Sequence, residues 1–284
     1  MDHIVSVSGD ERARGMLAPD TARSALGALT EHGCVLLRGA FALELIDGLY
    51  REFLERYGAL DAAGMAERAA SPPPNRFLEV GTARYEITLA MQGAFANPQF
   101  FANPLLTRFL LPLLGTDMRL SGLTTVVSHP GAGQQHTHRD HPHLFTEQQT
   151  GPGLPTYAIN VSLPLIDVDL QIGPTGVWLG SQRWPQQQEA PAQAMTALAV
   201  QRGDCVLIDY RTLHAGLPNR STRVRPILYL VYARTWFYDE VNHVARRSLD
   251  MSLEQYEALP AYARPLLQRA YSQAIRARWH EAGD

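Results

Sequence analysis

The side chains able to do chemistry concentrate in one stretch, Gln134-Gln135-His136-Thr137-His138-Arg139-Asp140-His141. A histidine and a carboxylate two positions apart fall on the same face of a β-strand, because side chains alternate with a period of two. His138 and Asp140 can therefore share one metal ion, and His214, far downstream, is the candidate third ligand from a separate strand. Two imidazoles and one carboxylate on one face of an octahedral Fe(II) leave three positions open for other ligands. His136 shares the face of His138 by parity and is the rival ligand, but no carboxylate follows it two residues on. His141 and His143 read as loop residues that could orient a ligand through a hydrogen bond. After His214 the chain turns at Asn219-Arg220-Ser221, so Arg223 or Arg225 can face the same cavity from the neighbouring strand. A planar guanidinium in a closed apolar barrel suits bidentate capture of a carboxylate. All 25 Lys and Arg residues are arginine, which excludes a Schiff-base or P-loop lysine and makes arginine the anchor for any carboxylate.

These residues need strands to hold them, and the pattern of the chain supplies strands. Apolar residues recur at helical spacing from Asp20 to Glu31, with Pro19 as a start signal and Gly33 as a stop. A short buried-type strand follows at Cys34–Arg38, then an amphipathic helix from Leu43 to Tyr57. The Ala-rich and Pro-rich run from Ala62 to Asn75 reads as a loop, and Asn97 to Leu114 as a helical segment broken by Pro104. From Arg119 the punctuation changes to short strands between Gly, Pro and Asn: Leu120–Ser128, Thr156–Leu165, Gly176–Leu179, Ala197–Val200, Cys205–Tyr210 and Pro226–Ala233. That count predicts a mainly β fold with flanking helices, its core a double-stranded β-helix, the jelly roll of cupin-like proteins. One domain over residues 1–284 is expected, with a helical support to about 118, the jelly-roll core at about 119–240 and a helical tail at about 250–284. Arg84, Tyr85, Met91, Phe95, Trp236 and Phe237 are among the candidate walls of a mostly apolar pocket.

Composition narrows the partners. The 284 residues are 45% hydrophobic and 19% charged, with a formal net charge of −3 and no basic block, which gives no electrostatic footprint for nucleic acid. No apolar run approaches the roughly 20 residues that span a bilayer, and Met1 to Arg14 is charged rather than apolar, so neither a membrane nor a secretory route is expected. Cys34 and Cys205 stand far apart in strand-like runs and read as buried, inert thiols, which fits a reducing cytoplasm. Homo-oligomerisation stays open.

Residues from about 33 to 237 resemble the phytanoyl-CoA dioxygenase-like (PhyH-like) family of Fe(II)/2-oxoglutarate oxygenases, especially members from secondary metabolism. The matching pieces are Pro130-Gly131-Ala132, His138-Arg139-Asp140, the run from Gly173 through Thr175 and Trp178 to Ser181, and His214-Ala215-Gly216 followed by Asn219 and Arg225. The resemblance implies that His138, Asp140 and His214 bind iron and that Arg225 rather than Arg223 binds the distal carboxylate of 2-oxoglutarate. It also implies that Thr175 and Gln135 touch this co-substrate. The reaction it implies consumes O2 and 2-oxoglutarate, releases succinate and CO2, and hydroxylates an unactivated C–H bond of a small, lipophilic or amphipathic molecule, with desaturation or cyclisation as variants. Related halogenases have Ala or Gly where this chain has Asp140, so the carboxylate argues for oxygen chemistry. Two departures, Gln171-Ile172 and Gln182-Arg183, bear on loop shape rather than on ligands. Without the resemblance, a facial-triad dioxygenase that ignores 2-oxoglutarate and a non-catalytic metal-binding cupin remain the alternatives.

Overall fold

Ser8 opens the first helix, α1 (Gly9–Arg14), with a reciprocal cap: its hydroxyl accepts from the Glu11 N–H while the Glu11 carboxylate accepts from the Ser8 N–H. Pro19 in the first turn and left-handed Gly33 after the last bound α2 (Pro19–His32). In α3 (Leu43–Tyr57) the buried residues Ile46, Leu49, Phe53 and Tyr57 form the inward stripe. The run expected as a loop forms α4 (Ala62–Ala69) instead, because the Asp61 carboxylate caps the Gly64 N–H at 2.8 Å and Met65 finds the core. Pro104 does not break a helix. It begins one, so that α5 (Pro98–Phe101) and α6 (Pro104–Leu114) are separate, with the Asn103 side chain accepting from the Leu105 and Leu106 N–H groups.

This computed structural model describes residues 2–72, 75–145, 153–185, 190–191, 194–242, 247–272 and 275. Its strands are β1 (Ile4–Ser6), β2 (Cys34–Arg38), β3 (Phe77–Gly81), β4 (Arg84–Thr88), β5 (Arg119–Ser128), β6 (Ala158–Pro164), β7 (Thr175–Trp178), β8 (Met195–Leu198), β9 (Cys205–Asp209), β10 (His214–Gly216) and β11 (Arg225–Ala233). Eight of them form one sheet in the order β1-β2-β9-β6-β11-β5-β4-β3, and β10-β7-β8 form a second. All pairs are antiparallel except β1 with β2. This is the double-sheet roll that the strand punctuation predicts. The boundary at residue 119 does not coincide with a boundary of the sheet, since β1 to β4 precede it and β3 and β4 had no strand reading.

Two apolar layers follow from period-two alternation. One face of the large sheet (Leu123, Val127, Val161, Leu163, Leu207, Leu228, Leu230) packs against α2, α3, α5 and α6. The other contributes Leu36, Val206, Ile208 and Ile227 to a core shared with Val177 and Leu198 of the small sheet. Cys34 and Cys205 are buried free thiols, and burial pushes the Cys34 thiol up to about 12. In the tail, Ser252 and Gln255 make the expected capping box on a helical turn, Leu253–Glu257, and Arg264–Leu267 forms a 3-10 turn. The remainder of the expected helix, from 276 on, lies outside the described residues. Among the described residues no helix is long and apolar enough to cross a membrane.

Candidate metal centre and co-substrate pocket

The ligand stretch is not a regular strand. His138 makes a single bridge to His214, the first residue of β10, through His138 N–H to His214 O at 3.0 Å and His214 N–H to His138 O at 2.9 Å. That closed pair brings the two ring centroids to 4.4 Å. The period-two argument still places Asp140 correctly, since one extended bridge residue suffices to alternate its neighbours. Ligand atoms of His138, Asp140 and His214 lie within 4.8 Å of one another. Each imidazole is oriented the same way, with Nδ1 within 2.9 Å of His136 O and 3.0 Å of Thr212 O, respectively. A carbonyl can only accept, so Nδ1 carries a proton in both rings and Nε2 is the nitrogen presented to the cluster. Burial, then the neighbouring His214, pulls His138 down to about 4, so it is a neutral donor. Burial opposes the charge on Asp140, but His214 and the Asn160 amide outweigh it and hold the carboxyl below its ordinary value. His136, the rival, is exposed beside His138 and lies outside the three-residue cluster.

Arg139, between the two ligands, points away from them. Its guanidinium donates to Arg211 O at 2.8 Å, to Ser181 O and Trp184 O at 3.3 Å and to Pro185 O at 3.5 Å, which ties the ligand loop to two neighbouring segments. The departures at 182 and 183 serve α2: Gln182 donates to Thr30 O at 3.0 Å and Arg183 to Glu31 O at 2.9 Å.

A cavity of about 510 Å³ opens over the cluster, lined by Leu78, Val80, Glu86, Gln135, His136, Asn160, Thr175, Tyr210, Tyr229, Val231, Val241 and Asn242 besides the three ligands. None of the six candidate walls named from the sequence lines it: Met91 and Phe95 are core and Trp236 is exposed. The walls are inward strand positions, which composition cannot single out.

The far end of the site, behind Gly216 and Tyr229 of the cavity wall, is built by register. Arg84 of β4 pairs with Ser128 of β5, and Ser128 pairs with Arg225 of β11, so two arginines flank one serine on a single sheet face. Tyr229 and Val231 share that face with Arg225 by parity. Arg84 and Arg225 are fully buried. Arg225 donates to the Gly173 carbonyl and, at 2.9 Å, to Ser128 Oγ. Arg84 donates to Gly133 O at 2.9 Å and Leu217 O at 2.8 Å. Neither has a carboxylate partner among the described residues, and Arg84 Nε, Arg84 Nη1 and Arg225 Nε have no acceptor. Burial, then the neighbouring Arg225, lowers Arg84 to about 10, and burial lowers Arg225 as well. Two buried cations without an anion are costly, and an entering carboxylate relieves that cost.

Thr175 and Gln135 belong to the same end. The Thr175 hydroxyl is bonded to that of Tyr229, itself within the field of both arginines. Gln135 accepts from the Gly216 N–H at 3.0 Å, and Gly216 O accepts from the Gln135 N–H at 2.9 Å. A Cβ on Gly216 would stand 2.5 Å from Gln135 Oε1 and would also collide with the Arg84 guanidinium, so a glycine keeps this cradle open. Gly173, at φ 82°, cannot take a side chain either: a Cβ would meet Leu217 O at 2.5 Å. Arg223 is exposed, which separates it from Arg225. Asn219 buttresses the turn by donating to Ser128 O at 3.0 Å and Arg223 O at 2.8 Å. The sequence marks Arg84 only as one of several candidate pocket walls and gives no signal for Ser128, Tyr229 and Asn160 as candidate site residues. The available signal for Arg84 was an arginine in the alternating run Arg84-Tyr-Glu-Ile-Thr88.

A jelly roll with two oriented imidazoles, one carboxylate and a buried cationic recess defines the class: a mononuclear non-haem metal centre with open positions beside an anion site. Residues 29–227 match the phytanoyl-CoA dioxygenase (PhyH) family, and the chain belongs to that family. It is 28% identical over 208 residues to the iron/alpha-ketoglutarate-dependent dioxygenase penM of Penicillium thymicola, a match covering 70% of this chain and 64% of the relative. It is 26% identical over 256 residues to the dioxygenase aneA of Aspergillus aculeatus, covering 84% and 81%. The fold is shared with the non-haem alpha-ketoglutarate-dependent epimerase SnoN from nogalamycin biosynthesis, at TM-score 0.57 and 16% identity over 76% of this chain and 82% of that one. SnoN has also been solved with Fe3+, alpha-ketoglutarate and nogalamycin RO, at TM-score 0.56 and 15% identity over 76% of this chain and 85% of that one.

Proposed function

We propose that this chain is an Fe(II)- and 2-oxoglutarate-dependent oxygenase that uses O2 to hydroxylate, desaturate or cyclise at an unactivated C–H bond of a small secondary metabolite. The observation that carries the reading is the pairing of a His138–Asp140–His214 cluster, in one cavity, with two buried guanidiniums that have no carboxylate partner among the described residues and lie directly behind Gly216 and Tyr229 of that cavity's wall. The curated relatives named for iron and alpha-ketoglutarate support it. Fe(II), when bound by these three residues, supplies oxygen activation coupled to conversion of 2-oxoglutarate into succinate and CO2.

The protein's part is binding, orientation and exclusion. Arg225 and Arg84 hold the distal carboxylate, with Thr175, Tyr229 and Ser128 furnishing hydroxyls and Gln135 shaping the cradle around Gly216. His138 and His214 present Nε2 because their Nδ1 protons are committed to backbone carbonyls. Leu78, Val80, Val126, Val231 and Val241 make an apolar wall, which suits a lipophilic or amphipathic substrate of metabolite size. Among the described residues no arginine lines this cavity, which weighs against a polyanionic acyl-CoA. We place the protein in a reducing cytoplasm on its two free thiols.

The test is anaerobic visible absorption of apo-protein titrated with Fe(II) and then 2-oxoglutarate. A charge-transfer band in the wild type that His138→Ala abolishes, and that Arg225→Ala shifts to higher 2-oxoglutarate concentration, is expected. Iron binding without any band on adding 2-oxoglutarate would overturn the co-substrate and leave direct dioxygenation or simple metal binding.

A further inference from the structure

Asp140 is held from three directions, with Oδ1 turned to the imidazoles and Oδ2 turned to an amide donor. Oδ1 lies 3.4 Å from His214 Nε2, on the imidazole side of the cluster. Oδ2 accepts from Asn160 Nδ2 at 3.1 Å. The Asp140 carbonyl accepts from Asn242 Nδ2 at 2.6 Å, and Asn242 is fixed in turn by Asp239, through its N–H at 3.0 Å and its Nδ2 at 2.8 Å. Tyr210 donates to the same Asp239 carboxylate at 3.3 Å. The backbone of the ligand is thus pinned by the segment after β11, while its side-chain torsion is set by an amide on β6.

Asn160 is well placed to do this. It is buried on a central strand, opposite Val231 of β11 and Ile208 of β9 in register, so its Cβ direction is dictated by the sheet. Its amide cannot be turned over, because Oδ1 would then face a carboxylate oxygen. The native orientation leaves Asn160 Oδ1 buried without a donor. Leaving such an acceptor unpaired costs about 1–3 kcal/mol, so the site retains this amide at the expense of stability.

We infer that Asn160 is a positioning residue of the metal centre: it reserves Oδ2 of Asp140, delivers Oδ1 alone to the metal, and so prevents the carboxylate from chelating through both oxygens. One-oxygen coordination keeps three positions of an octahedral ion free, the number that a chelating 2-oxoglutarate and O2 require together. Removing the amide lets Asp140 swing and take a further position. Its consequence is a lost metal-bound water: two positions remain, enough for a chelating 2-oxoglutarate but not for O2 as well.

This inference rests on the proposed metal site, and its first readout needs neither co-substrate nor turnover. Mn(II) is bound to the wild type and to Asn160→Leu, and the coordinated waters are counted from electron paramagnetic resonance line broadening in oxygen-17 water. About three waters are expected in the wild type and about two in the variant. In parallel, with 2-oxoglutarate bound, the wild type should keep about one coordinated water and the variant none. Asn160→Ser, too short to reach Oδ2 and adding no bulk, should follow the leucine variant and guards against a folding defect. Equal water counts in wild type and folded variants, with and without 2-oxoglutarate, would overturn the role of Asn160. A wild type that does not bind Mn(II) would overturn the metal site itself.

Discussion

Replacing Arg84 by glutamine separates a co-substrate role from a structural one. Arg84 is fully buried, beside a second buried arginine and no carboxylate, and its fall from 12.5 to about 10 corresponds to about 3 kcal/mol of penalty on the cation in the empty protein. Glutamine removes that penalty. It also removes hydrogen bonds to Gly133 O and Leu217 O, at about 1–3 kcal/mol apiece. The two effects oppose each other and nearly cancel, so Arg84→Gln without ligand should melt within about 5 °C of the wild type. With 2-oxoglutarate the balance is one-sided. The variant loses the unpaired Nε and Nη1 donors, and with them about 2–3 kcal/mol of charge-assisted bonding, a 30- to 150-fold rise in dissociation constant. The assay is anaerobic titration of the Fe(II)-loaded protein with 2-oxoglutarate, paired with thermal melts at saturating co-substrate. Arg84→Lys, which keeps the charge but not the fork, should fall between the two. A folded Arg84→Gln that binds 2-oxoglutarate within threefold of the wild type would refute the reasoning, as would a loss of stability equally large with and without ligand.

Gly216→Ala should weaken 2-oxoglutarate binding at least 10-fold with little change in secondary structure by circular dichroism, because the added methyl enters the Gln135 and Arg84 cradle. For Glu11, burial raises the carboxyl, but bonds from the Ser8 and Ala18 N–H groups outweigh it and hold it at about 2. A folded value below the ordinary one means stability that is full above about 4.5 and is lost as pH falls toward 2, so Glu11→Gln should cost about 2–3 kcal/mol at pH 7 in urea denaturation and almost nothing at pH 2. Arg211 grips Asp209 with two 2.8 Å bonds in the interior, and Arg211→Ala, which strands that carboxylate, should destabilise by about 3–5 kcal/mol in the same assay.

The candidate metal-ligating pair was legible in the amino-acid sequence because its constraint is local. His138 and Asp140 sit two residues apart, and an extended chain puts such a pair on one side whether it belongs to a long strand or, as here, to a single bridge. Helix ends were legible for the same reason: the Pro19 start and Gly33 stop act within one turn of the residues they control. Where a local signal was outweighed, as by alanine and proline between Ala62 and Asn75, a single capping carboxylate at Asp61 decided for a helix. The anion recess has no local signature at all. Arg84, Ser128 and Arg225 meet only because β4, β5 and β11 are adjacent and in one register. A shift of one residue would turn each of them to the opposite face of its strand. The same holds for Asn160, whose hold on Asp140 depends on β6 lying beside β11. The candidate ligand pair is thus a property of spacing along the chain. The buried arginine recess and the hold of Asn160 on one Asp140 oxygen exist only once the sheet has closed, since strand register is set by the whole core.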